Sequence, residues 1–173
     1  MEEYVILVDE NDQPIGRMEK QAAHVTPHLH RAFSIFIFNS KGELLMQQRA
    51  LSKYHSPGLW TNTCCSHPRN GEAVEQAASR RLMEEMGMQC EMHEVFTFIY
   101  KAPVGLGLIE HEYDHVFFGQ SDDTPVINTD EVASWKYMSL DAIKEDLQKH
   151  PESYTEWFKI SFEEIVCHVR ETK

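Results

Sequence analysis

The sequence predicts a mixed α/β (α+β) fold, a sandwich in which a mixed, largely antiparallel sheet carries helices on both faces. Three observations predict it. Short apolar runs bounded by turn residues recur through the chain, one central segment switches to a helical period, and two further helical stretches close it. The 173 residues, 42% of them hydrophobic, are expected to form one domain, 1–173, around one ordinary core.

YVILVD (4–9) reads as a first strand ended by NDQPIG, and AFSIFIF (32–38) as a second closed by NSKG. ELLMQQR (43–49) follows as the return strand of a hairpin. After the strand-like WTNTCCS, Val74, Ala77, Ala78, Leu82 and Met86 fall on one stripe of a helix between Gly71 and Gly87, with Gly87 placed to cap it. Strands are expected at 94–100, 109–119 and 132–138, then helices over LDAIKEDLQKH and, beyond Pro151, over ESYTEWFKISFEEIVCHVRE.

Composition narrows the function classes. A formal net charge of -12 repels phosphate backbones at long range and argues against nucleic acid as a partner. No stretch reaches the ~20 apolar residues a membrane span needs. The acidic opening MEEYVILVDE does not read as a secretory signal, and the adjacent Cys64 and Cys65, with Cys90 and Cys167, do not form a disulfide framework. A soluble cytoplasmic protein, monomeric or a small homo-oligomer, is expected. An anionic small substrate would need a local basic pocket or a bridging cation.

Two groups of polar residues carry chemical signal. In IEHEYDHVFFG strand alternation places Glu110, Glu112 and Asp114 on one face, with His111, Tyr113 and His115 on the other. Three acids in a row repel one another unless solvent or a cation relieves them. His24, His28, His30 and His67 lie beside strand or turn ends, and imidazole with carboxylate is a donor set for divalent first-row ions. On the central helix Arg80 and Glu84, like Arg81 and Glu85, stand one turn apart. They read either as surface ion pairs or as a carboxylate for magnesium beside an arginine for phosphate.

The segment EAVEQAASRRLMEEMGM (72–88) resembles the Nudix box, the loop-helix-loop whose glutamates hold the magnesium of a bound diphosphate. Glu72, Glu84 and Glu85 fall on its acidic positions. The box departs from the usual pattern at Ser66, where Gly is expected, and at Arg81, which replaces the acid associated with hydrolysis. A small-diphosphate pyrophosphohydrolase is therefore the alternative, and a non-catalytic metal-binding protein a third reading. The stretches EKQAAH, HLHRAFS, QQRALSKYHSPGLWTNTCCSHP, EHEYDHVF and EWFK together resemble the type I isopentenyl diphosphate isomerases of the Nudix superfamily across nearly the whole chain.

The resemblance implies a Nudix-like α/β/α sandwich and a set of roles. His24, His30, His67, Glu110 and Glu112 match ligands of one tightly bound divalent ion (zinc, manganese or magnesium), with His28 a neighbour. Cys65 matches the catalytic thiol, Cys64 packing, and Glu85 the carboxylate of a magnesium ion that arrives with the substrate diphosphate. Lys20, Arg49, Lys53 and Arg81 match basic diphosphate contacts. Cys65 and Glu112 form the implied acid/base pair, with Tyr100 beside Glu112, while Trp157 matches an aromatic over the substrate and Trp60 is structural. The implied reaction shifts a double bond, turning isopentenyl into dimethylallyl diphosphate by adding one proton and removing another through a tertiary carbocation-like state. An unactivated alkene is a poor base, so its acid must be positioned and shielded from water.

Overall fold

The computed structural model describes residues 3–171. Its centre is β3 (His30–Phe38), whose apolar run is continuous because both faces are buried. Along its length β3 pairs in parallel with β8 (Leu108–Gln120), and β8 pairs antiparallel with the long β7 (Met92–Gly105). β1 (Tyr4–Val8) joins β3 at Leu7 and His30 and pairs antiparallel with β2 (Pro14–Glu19). All strands belong to one nine-stranded sheet, antiparallel except for the β3–β8 pair.

The expected hairpin after β3 forms at its turn only. Asn39 Oδ1 accepts the N–H groups of Lys41 and Glu43, and Phe38 pairs with Leu44. From there β4 (Leu44–Arg49) leaves β3 and pairs with β9 (Val132–Met138) and the short β5 (Trp60–Thr61). Residues 61–66 fill the split. β6 (Cys64–Ser66) pairs with Phe33–Ile35, while Thr63 Oγ1 accepts the Ile37 N–H at 3.0 Å and donates to Leu45 O at 2.7 Å, bridging the diverging strands. Backbone groups freed by the divergence are thus satisfied inside the core.

Alternation along β3 and β8 creates two cores. Phe33, Ile35, Ile37 and Phe117 pack beneath α2 (Val74–Met86) through Ala77, Ala78, Leu82 and Met86, the stripe expected from the sequence. Phe36, Phe38, Val116 and Phe118 pack on the other side with Ile143 of α3 (Leu140–Lys149) and with Phe158, Phe162 and Ile165 of α4 (Glu156–Glu171). The result is the α/β/α sandwich. Gly87 ends α2 with φ 62°, and a Cβ there would stand 2.4 Å from Val126 O, so glycine is required twice over.

Two early elements carry no periodic signal. β2 is exposed over most of its length, so PIGRME has no apolar alternation and reads as turn. α1 (Lys20–Val25) is only six residues, capped by Glu19, whose carboxylate accepts the N–H groups of Gln21 and Ala22. α2 itself begins at Val74, three residues after Gly71.

Candidate active site

The strand in the split sends its two cysteines to opposite faces. Cys64 is fully buried in the core under α2, its sulfur 3.4 Å from Glu85 Oε1. Cys65 faces the other way, against Tyr100, Ala102 and Trp157. Its Sγ accepts a hydrogen bond from Trp157 Nε1 at 3.1 Å, donates to Asn62 Oδ1 at 3.1 Å and lies 3.5 Å from Ser34 Oγ. Burial, with the nearby Asp114 carboxyl, pushes the Cys65 thiol up to about 12, so at neutral pH it keeps its proton.

β8 places its acids inward, which excludes the solvated-face reading: Glu110, Glu112 and Asp114 are all buried. Glu110 receives His24 Nε2 at 2.5 Å and His55 Nε2 at 3.0 Å, and Glu112 Oε2 receives His67 Nε2 at 2.8 Å. Tyr100 donates its hydroxyl to Glu112 Oε1 from the adjacent strand, since Tyr100 and Glu112 are register partners. Asp114 accepts from Ser34 Oγ at 2.7 Å, and burial beside Glu112 raises its carboxyl well above the usual range.

This cluster suits a divalent cation. Donor atoms of His30, His67, Glu110 and Glu112 lie within 4.8 Å of one another, as do those of His24, His55 and Glu110. His30 Nε2 and Glu110 Oε2 are buried yet make no hydrogen bond. Burial lowers His67 and leaves it a neutral imidazole, as a metal ligand must be. For His24 and His30 burial also opposes protonation, but Glu110 and Glu112 respectively outweigh it and raise both. Two buried carboxylates need hydrogen-bond donors or a cation beside them, and the protein surrounds them with three imidazoles of the predicted set plus His55.

The cations converge on the same cavity, lined by Lys20, Arg49, Lys53 and Arg81 together with Cys65, His67, Glu85, Tyr100, Glu110, Glu112 and Trp157. Arg49 lies 5.3 Å over the Trp157 ring, gives Nη2 to His55 O and has no partner for its buried Nε. Arg81 bonds to Glu85 one turn on and to Glu84, and sits 3.5 Å from Glu131, which also pairs with Lys53. Lys20 pairs with Glu3 at 2.8 Å.

All the predicted site residues are therefore brought to one place, with His24 and His30 enclosed behind the carboxylates. Others of the sequence signals are not. His28 Nδ1 turns to Thr26 O, Glu72 and Glu84 are held by Arg80, and Trp60 lies under Lys136. His55, Asn62, Glu131 and the Ser34–Asp114 pair are additional. His55 and Asn62 stand inside the QQRALSKYHSPGLWTNTCCSHP stretch, whereas Glu131 has no local signal because it reaches the site only through the pairing of β9 with β4, where its carbonyl accepts the Ala50 N–H.

A split sheet between helices with a loop-helix carrying paired Arg and Glu defines a NUDIX domain, and the NUDIX domain model matches residues 28–158. The isopentenyl-diphosphate Delta-isomerase of Pectobacterium atrosepticum is 56% identical over 161 residues, 93% of this chain and 90% of that one. Isopentenyl-diphosphate Delta-isomerase 2 of Aromatoleum aromaticum is 51% identical over 166 residues, covering 96% and 88%. The crystal structure of DR0079 from Deinococcus radiodurans shares the fold, with a TM-score of 0.71 over 85% of this chain and 90% of that one at 21% identity. The chain belongs to the NUDIX family and, within it, to the isopentenyl-diphosphate Delta-isomerases.

Proposed function

We propose that this chain, acting as one domain, interconverts isopentenyl and dimethylallyl diphosphate, the activity named for its relatives. The observation that carries the residue assignments is the meeting, in one cavity, of a protonated thiol, a carboxylate bonded to a tyrosine, and four cationic side chains. Lys20, Arg49, Lys53 and Arg81 bind the diphosphate, and Glu85 would hold a magnesium ion that enters with it. His24, His30, His67, Glu110 and Glu112 would hold a second divalent ion (manganese, zinc or magnesium), which fixes the carboxylates and lowers their basicity.

Cys65 gives its S–H proton to the terminal alkene carbon, forming the new methyl C–H bond and leaving a thiolate that Trp157 Nε1–H is placed to stabilise. The tertiary cation-like carbon then faces the indole, a π surface that attracts positive charge without trapping it. Glu112 takes the C2 proton as the double bond shifts, with Tyr100 holding its carboxylate in position. Exchange with solvent returns both groups to their starting states. Arg81, where a hydrolase glutamate would stand, forms an ion pair with Glu85 and offers no base for water.

Among the described residues no helix is long and apolar enough to cross a membrane, and the four cysteines are free, which supports a cytoplasmic setting. The test is product analysis in heavy water. Isopentenyl diphosphate should yield dimethylallyl diphosphate deuterated in a methyl group, with no inorganic phosphate released. Phosphate or pyrophosphate release without allylic product would refute the reading.

A further inference from the structure

Asn62 is fully buried in the sheet split, and all of its amide is engaged. Its Nδ2 donates to two backbone carbonyls, Ile35 O at 2.9 Å and Cys64 O at 3.1 Å. Those two acceptors allow one orientation of the amide, because a flip would set oxygen against oxygen in a water-free site. Oδ1 is thereby forced toward Cys65, where it accepts from Sγ at 3.1 Å and from Thr61 Oγ1 at 2.9 Å. Thr61 in turn accepts from Thr155 Oγ1 at 2.8 Å, at the start of α4 and two residues before the Trp157 that donates to the same sulfur.

We propose that Asn62 is a positioning residue for the Cys65 thiol. It holds the sulfur in the rotamer that faces the cavity and accepts the S–H hydrogen bond in the free enzyme, so that rotation about the Cβ–Sγ bond is all that is needed to address the substrate carbon. Trp157 and Asn62 approach the sulfur as donor and acceptor, which gives the thiol a single defined hydrogen-bonding arrangement. Removing the carbonyl lets the S–H turn to Ser34 Oγ, 3.5 Å away, and loosens the geometry on which proton transfer depends. The inference rests on the assignment of Cys65 as the proton donor.

The experiment pairs kinetics with Raman spectroscopy. Asn62→Ala should lower the turnover number roughly 10- to 100-fold through misplacement of the acid. The Michaelis constant should stay within about twofold, since no diphosphate contact is touched. A folded Asn62→Ala enzyme with wild-type turnover would overturn the proposal. Asn62 also ties two backbone carbonyls, so the second measurement needs no Asn62 variant: a protein whose cysteine at 65 alone is retained should show an S–H stretching band displaced to the low frequency of a thiol bonded to an amide carbonyl. A band at the free-thiol frequency would overturn the proposal even if Asn62→Ala does not fold. Full turnover in Cys65→Ala would instead sink the underlying assignment, so the two failures are distinguishable.

Discussion

Replacing Trp157 with phenylalanine separates two jobs that the wild-type indole combines. The ring packs at 4% exposure beside Arg49 and His55, and its Nε1–H donates to Cys65 Sγ at 3.1 Å. Phenylalanine keeps an apolar ring over the substrate and loses the donor. A hydrogen bond between neutral groups contributes about 0.5–1.5 kcal/mol, and one to a charged group about 1.5–3 kcal/mol. The N–H therefore favours the thiolate formed on proton transfer over the resting thiol by about 1–1.5 kcal/mol. At about 1.4 kcal/mol per factor of ten, Trp157→Phe should lower turnover about five- to twelve-fold. The Michaelis constant should change little, because Arg49 retains an aromatic neighbour. Radiolabelled isopentenyl diphosphate, with the acid-labile allylic product counted, measures both constants, and a thermal melt run alongside reports the packing loss. A variant with a lowered Tm and an unchanged turnover number would show that the indole N–H is structural, and the thiolate argument would fail.

Cys65→Ala should abolish turnover with metal content unchanged, while Cys64→Ala should turn over almost as wild type and lose only about 1 kcal/mol of stability from the core under α2; the opposite pattern would shift the whole assignment by one residue. Metal analysis of protein purified without chelators should find one divalent ion per chain, and His67→Ala or Glu112→Gln should lower that occupancy. Arg49→Ala and Lys53→Ala should mainly raise the Michaelis constant, since the diphosphate is held equally in ground and transition states; a loss confined to turnover would place these residues at the reacting carbons. Hydrogen bonds from Arg80 hold the Glu72 carboxyl below its ordinary value of 4.5, so this pair stabilises the fold above that pH and its contribution is lost as pH falls through the depressed value. The difference in Tm between wild type and Glu72→Gln should accordingly be largest near neutral pH and close in acid, as paired melts across that range would report.

Periodicity determined the parts of this protein whose physics is local. The stripe of α2 and the shared face of Glu110 and Glu112 follow from 3.6- and 2-residue repeats, Gly87 marks the helix end, and the fold class follows from the order of the elements. The stretches NTCCSHP and EHEYDHVF pointed to candidate site residues through their resemblance to one family. Tertiary structure decided what needs two segments distant in the chain. Whether the acids of β8 met water or histidine depended on His24, His55 and His67 arriving from positions 45 to 86 residues away. The divergence of β4 from β3, which opens the split for residues 61–66, is invisible in any one window, since it consists of β6 pairing with β3 while β4 pairs with β9, segments distant in the chain. With β6 inserted there, alternation sends Cys64 into the core and Cys65 to the cavity, and long-range hydrogen bonds through Asn62 and Thr63, not local propensity, hold the segment in place.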